Sequence, residues 1–414
     1  MNSVLNASRP SKQTILIIGT LDTKGEECVY IRDRIQQNGF GALLIDSGPL
    51  GSPLVPGDIT RYDVAEKAGV TLEALTATRD KGKIIQTMTD GVTLWVAQLF
   101  RKEKIHGVIA VGGGQGTAIG TDAMQCLPLG FPKVMVSTVA SGNMRRFIHT
   151  SDIAVFPSVT DVFGLNSIFT RILDNAVNAL MGMARHYQPI EKGDIKSIGA
   201  TAFGVVTPGL MKMKKILNEK GFEMILFHAT GMGGRALEEL VATGYFDGVM
   251  DWTTHEIVDE IGKGIFASGK DRLDVLSKTR TPYIIAPGGI DYICKGPWQE
   301  MTTAWKKRNF YAHNRNITSI RTTPREMTRA ANFIAKKVNR AVGPVTIMIP
   351  TRGFSEPNAE GKQFYDPETD RVFVNTLKRQ LKSCIDLIEI DAHINDDVFV
   401  REAVDRMLGM LGMH

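Results

Sequence analysis

The chain has 414 residues, too many for one ordinary hydrophobic core, and at ~150 residues per domain it divides into two or three. Its 49 Lys and Arg against 44 Asp and Glu leave a formal charge of +5, which excludes the dense basic footprint of a dedicated nucleic-acid binder. Cys28, Cys126, Cys294 and Cys384 lie far apart with no CxxC pair, which excludes a sequence-encoded disulfide framework or zinc cluster and fits a reducing cytoplasm.

The opening MNSVLNASRPSKQ is polar and reads as a disordered lead-in over 1–13. No later run approaches the ~18 apolar residues of a membrane helix, so a soluble protein without membrane contact is expected. Short β-branched runs then alternate with longer helical stretches, the pattern of βα units on a mainly parallel sheet. In the first half the strands are TILIIG from Thr14, ALLID from Ala42, GVIAV from Gly107, KVMVS from Lys133 and DIAVF from Asp152. A long amphipathic helix is predicted from about Asp80 to Lys104, its apolar face including Ile84, Met88, Val92 and Leu99.

The segment HYQPIEKGDIK has Pro, Gly and mixed charge without apolar period, and there the first domain, 14–190, gives way to a second, 191–414. Its strands are SIGATAFGVV from Ser197, FEMILFHAT from Phe222, FDGVMDWT from Phe246, PYIIAPGG from Pro282, VTIMIP from Val345 and IDLIEID from Ile385. The fold class predicted is α/β, two Rossmann-like domains, each a mainly parallel sheet flanked by helices. The segment from Trp305 to Arg315 mixes cations with aromatics as a nucleic-acid surface does, but reads better as a solvated crossover.

Open parallel sheets bind ligands beyond the carboxyl ends of their strands, so the loops after each run carry the candidate site. After the first strand, Thr20, Asp22, Thr23 and Lys24 converge at a helix start; they suit a phosphate, with Asp22 holding a magnesium ion, or form an Asp/Thr cap. After the third, Gly112, Gly113, Gly114, Gly116 and Thr117 make a glycine density that a structural turn alone would seldom require. The loop lacks the Gly-Lys-Ser/Thr ending of a Walker A motif, and no ribose-binding acid follows at the spacing of a dinucleotide fingerprint. After KVMV, Ser141 and Gly142 either complete the same pocket or form a polar turn.

The second half opens its own candidate site at Gly231, Gly233 and Gly234, again on a helix start. Around it, His228 and Glu256 are the candidate proton-exchanging groups and Arg352 a clamp for a carboxylate or phosphate; Thr253 to Glu256 reads equally as a capping box.

The stretches GTLDTKGEE (19–27), GGGQGT (112–117), LPLGFPKVMVSTVASGN (127–143), FHATGMGGRALEEL (227–240) and IRTTPREM (320–327) resemble, across almost the whole chain, the N-terminal ATP-binding domain family of the tomato mosaic virus resistance protein and its bacterial and fungal relatives. The resemblance implies two Rossmann-like subdomains, a homodimer and ATP binding without an assigned reaction. Residues and resemblance together predict an ATP-binding protein acting as an ATP- or phosphate-dependent enzyme on a small acidic metabolite in a cleft between the domains. The alternative is a non-catalytic, ATP-gated regulatory or protein-binding module, and a third reading puts a sugar phosphate or carboxylate in the loops.

Overall fold

A computed structural model describes residues 12–413, so most of the 1–13 lead-in lies outside the described residues. These fall into two compact units divided between Glu191 and Lys192.

Unit 1 runs β1 (Thr14–Gly19), α1 (Gly25–Gln37), β2 (Gly41–Asp46), α2 (Arg61–Lys67), α3 (Leu72–Ala77), α4 (Lys81–Arg101), β3 (Gly107–Gly112), α5 (Gly114–Gln125), β4 (Lys133–Ser137), α6 (Arg145–Ile148), β5 (Ala154–Pro157) and α7 (Ser167–Arg185). Its five strands are all parallel, in the order β2-β1-β3-β4-β5. Successive side chains of a strand point to opposite faces. In β1, accordingly, Leu16 and Ile18 join one apolar cluster with α4 while Ile15 and Ile17 join another with α1 and α7. Burial on both faces explains why the strands read as unbroken apolar runs. The long helix begins where Asp80 accepts a hydrogen bond from the Lys83 amide, and ends at Arg101.

Unit 2 runs β6 (Ser197–Ala202), α8 (Thr207–Glu219), β7 (Glu223–His228), α9 (Gly233–Ala242), β8 (Gly248–Thr253), α10 (His255–Gly262), β9 (Tyr283–Gly288), β10 (Tyr292–Lys295), α11 (Thr303–Lys306), β11 (Phe310–Asn314), β12 (Ile317–Arg321), α12 (Pro324–Val338), β13 (Val345–Pro350), α13 (Pro367–Gln380), β14 (Asp386–Ile390) and α14 (Asp397–Met410). Six of its strands form a parallel sheet, β14-β13-β9-β8-β6-β7. Counted in chain order this is 2-1-3-4-5-6, the arrangement of unit 1 with one strand added. In both units the winding reverses between the first and third strands, and at such a switch point adjacent loops part and leave a crevice.

Two sequence expectations change here. The strand from Ser197 stops at Ala202, and Gly204–Val206 forms a 3-10 turn that feeds α8. The segment from Trp305 to Arg315 is largely solvated as expected but is no irregular crossover: it supplies the end of α11 and β11, the edge of an antiparallel sheet β10-β12-β11 inserted between β9 and β13. Of its cations Arg308 is held, 4.6 Å from the Trp305 ring centre and paired with Glu326, while Lys306, Lys307 and Arg315 are exposed. Among the described residues no helix is long and apolar enough to cross a membrane.

Candidate functional site

In unit 1 the switch point falls between β1 and β3, and a cavity of about 590 Å³ opens at their carboxyl ends. Thr20, Asp22, Thr23 and Lys24 line it from the β1 turn, and Gly113, Gly114 and Gly116 from the start of α5. The helices α1 and α5 have Lys24 and Gly113 as N-caps, and neither makes a side-chain capping bond. Their first amides carry the positive end of the helix dipole with no internal partner.

The three lining glycines at the start of α5 are not demanded by the fold. None has a positive φ, and a Cβ would meet nothing within 4 Å at Gly114, Thr138 Oγ1 at 3.6 Å at Gly113 and the Val111 carbonyl at 3.4 Å at Gly116. Gly112 differs, since its Cβ would fall 3.0 Å from the Gly116 Cα.

A buried ion pair shapes the opposite wall. Asp46 at the end of β2 accepts from the Leu21 and Gly48 amides at 3.1 and 2.9 Å and from Arg61 Nε at 2.8 Å. The Arg61 guanidinium donates onward to the Leu50 and Gly51 carbonyls, fixing the loop beside Asp22. Burial raises the Asp22 carboxyl above its usual range, with Arg61 opposing and Asp46 adding to the rise. Lys24 lines the cavity but donates to the Val162 carbonyl, near the exposed Phe163 ring.

Four expected members stand apart from this cavity, the first being Gly112 at the end of β3. Thr117 is fully buried, donating to the Gly113 carbonyl and pairing with Ser137 Oγ at 2.6 Å, so its hydroxyl ties α5 to β4. Ser141 and Gly142 are exposed on a polar turn and do not line it. The sequence reading missed Arg79 and Lys81, which line the cavity from the approach to α4. They follow no strand, but the basic run in TRDKGK at a helix start was the available signal.

In unit 2 a cavity of about 660 Å³ opens beyond β6, lined by Phe203, Gly204 and Val205 with His228 and Thr230 from beyond β7. The inserted sheet forms its floor. Tyr292 and Cys294 of β10, Ile317 and Ser319 of β12, and Tyr311 and His313 of β11 all line it, as the period of two requires. Phe266 and Phe364 close the aromatic wall.

Of the residues expected here, only His228 lines the cavity. The second glycine turn is structural: Gly231 has φ +97°, while a Cβ would fall 2.0 Å from the His228 carbonyl oxygen at Gly233 and 2.2 Å from Glu256 Oε2 at Gly234. Glu256 is wholly buried; its Oε1 accepts from the Gly231 amide at 2.6 Å and its Oε2 from Arg272 Nε at 3.2 Å, so it anchors the turn rather than exchanging protons. Arg272 is itself buried among Glu256, Asp251 and Glu238, and burial lifts Glu238 to about 7 against the pull of that guanidinium. Arg352 is exposed and paired with Asp391 at 2.6 Å, away from the cavity, so it clamps no ligand there.

Behind the floor lies a buried cluster. His255 stacks on Phe203 with ring centres 4.6 Å apart. Its Nδ1 meets the Gly289 carbonyl at 2.8 Å and its Nε2 lies 3.5 Å from Asp259 Oδ1. Burial depresses the imidazole, but the Asp259 carboxylate and the Cys294 side chain outweigh it and raise His255 to about 10. This grouping is invisible in the spacing of its residues, because α10 and β10 come together only in the fold.

Fold and cavities together define a two-unit Rossmann-like α/β protein with a pocket at the switch point of unit 1 and another between the β6 and β7 ends and the inserted sheet of unit 2. The chain belongs to the uncharacterised protein family UPF0261, whose N-terminal domain matches residues 13–189 and C-terminal domain residues 196–411. A UPF0261 protein of Clostridium tetani is 40% identical over 398 residues, covering 96% of this chain and 98% of that one. The tomato ToMV resistance protein Tm-1(GCR237) is 32% identical over 421 residues, covering 95% of this chain but 55% of the longer plant protein. Among solved structures, the UDP-GlcNAc 2-epimerase of Methanocaldococcus jannaschii is 10% identical with 96% and 99% coverage, but its TM-score of 0.24 carries no argument.

Proposed function

We propose that unit 1 binds the phosphates of a nucleotide, with ATP the ligand that the family resemblance implies. The observation carrying this reading is the freedom of Gly113, Gly114 and Gly116: the backbone needs neither their φ nor their missing Cβ, so what remains to require them is something approaching from the cavity. Two uncapped helix N-termini and the cations Lys24, Arg79 and Lys81 border that space, a combination suited to polyphosphate. A volume of about 590 Å³ accommodates a nucleotide.

Asp22 is the one carboxylate among the described residues lining the cavity. Magnesium bound with nucleotides takes most of its ligands from phosphate and water and only one or two from protein, so Asp22 fits that role. The metal would supply charge neutralisation across the phosphates, while Lys24 would leave the Val162 carbonyl for a phosphate oxygen.

Calorimetric titration of the full chain with ATP in the presence of magnesium tests the reading. Saturable binding, weakened about tenfold in Lys24→Ala, is the expected result; no heat of binding, or equal affinity in both proteins, counts against it.

A further inference from the structure

The two cavities differ in what lines them. Among the described residues no aromatic side chain lines the unit 1 cavity, whereas Phe203, Phe266, Tyr292 and Phe364 line that of unit 2. Their rings are set at several inclinations. Phe203 meets Phe266 edge-on, with ring centres 5.9 Å apart at 77°, and Tyr292 lies 6.3 Å from Phe203 at 28° and 5.8 Å from Phe364 at 33°. Phe203 and Phe266 are only half-buried, so ring surface is left for a further partner. Aromatic rings attract one another in offset and edge-to-face contact, and walls of this mixed inclination suit a planar ring better than a branched aliphatic chain.

The polar groups narrow the ligand further. Tyr292 is 3% exposed, yet among the described residues its hydroxyl has no hydrogen-bond partner. Ser319, also in the cavity wall, has only a 3.8 Å contact to Cys294 Sγ. Sheltered hydroxyls with so little pairing are costly to a fold, and a polar substituent on a ligand would supply the missing partner. On the exposed side of the cavity, Lys362, His228 and His313 stand against one carboxylate, Glu356. Lys362 has no ion-pair partner among the described residues, and each imidazole presents an N–H in either tautomer. That balance favours an anion.

Gly204 is an independent sign of a ligand. It opens the turn before α8, has no positive φ, and a Cβ there would meet nothing within 4 Å. Neither backbone nor packing requires a glycine, and the residue lines the cavity.

We propose that the unit 2 cavity is a binding site for a small aromatic carboxylate. The ring of the ligand lies among Phe203, Phe266, Tyr292 and Phe364, a polar ring substituent meets the Tyr292 hydroxyl, and the carboxylate faces Lys362 and the imidazoles. The volume of about 660 Å³ falls in the range of small-molecule sites. This site and the unit 1 nucleotide site are independent, so the loss of one leaves the other standing.

The full chain, without nucleotide, is titrated calorimetrically with p-coumarate, with p-coumaryl alcohol, which lacks the charge, and with hexanoate, which lacks the ring. The acid is expected to bind saturably and at least ~10-fold more tightly than either comparator. Gly204→Val, which adds bulk at a lining position, should weaken the acid at least ~10-fold, and Lys362→Ala should weaken the acid while leaving the alcohol unchanged. Tyr292→Phe should weaken the acid without lowering the melting temperature, since the hydroxyl has no partner to lose among the described residues. No binding of the acid, equal affinity for the three compounds, or wild-type affinity in both Gly204→Val and Lys362→Ala overturns the proposal. The ranking of the compounds on the wild-type chain needs no variant, so it decides the matter even if Gly204→Val does not fold.

Discussion

Each unit carries a glycine turn at a helix start, and the two turns have opposite reasons for being glycine-rich. In unit 2, Gly233 and Gly234 leave no room for a Cβ, and Glu256 and Arg272 pack against the turn. In unit 1, Gly113, Gly114 and Gly116 line a cavity, and a Cβ would meet nothing within 4 Å at Gly114 and only ordinary van der Waals contacts at the other two. The same residue type thus marks close packing in one unit and access in the other. Only the surroundings of the missing Cβ distinguish them.

The strongest way to break this comparison is to attack the packing of unit 2. Arg272→Ala leaves Asp251, Glu238 and Glu256 buried without their cation and should cost roughly 3–5 kcal/mol in denaturant unfolding. Gly234→Ala drives a methyl into Glu256 and Arg272 and should cost about 1–3 kcal/mol, whereas Gly114→Ala should stay within about 0.5 kcal/mol of wild type. Equal costs for the two glycine variants would erase the distinction.

A smaller effect concerns pH. His255 is raised to about 10 from an ordinary 6.5, so the folded chain holds that proton more tightly than the unfolded one. The resulting stabilisation is complete below about pH 6.5 and is lost as pH rises towards 10. Melting curves across that window should show a fall on the order of 5 °C that His255→Gln flattens. The smallest effect belongs to Asp22, whose raised carboxyl makes its ionisation unfavourable to the folded state. Asp22→Asn should therefore raise the melting temperature by about 1–2 °C near neutral pH, while making ATP binding less dependent on magnesium.

The parallel sheets were readable because both faces of their central strands are buried, so TILIIG, GVIAV and VTIMIP stand out as runs. The antiparallel insertion was not: YICK, FYAHN and ITSIR are short, and β11 leaves four of its five residues exposed at a sheet edge. The β1 and β3 loops of the unit 1 cavity were legible from strand-end logic, but Arg79 and Lys81 reach it from a helix approach. Glu256 was misread because sequence shows a carboxylate after a strand and cannot show the buried Arg272 that occupies it. His255, Asp259 and Cys294 meet only in three dimensions, the second and third standing 35 positions apart.

The central claim is that the unit 1 glycines are kept clear for a nucleotide. Gly114→Val tests it most directly, since a side chain there meets no protein atom within 4 Å at its Cβ and projects from a residue lining the cavity. The account predicts a melting temperature within about 2 °C of wild type together with at least a ~100-fold loss of ATP affinity in calorimetry. An unchanged affinity in the correctly folded variant would contradict it.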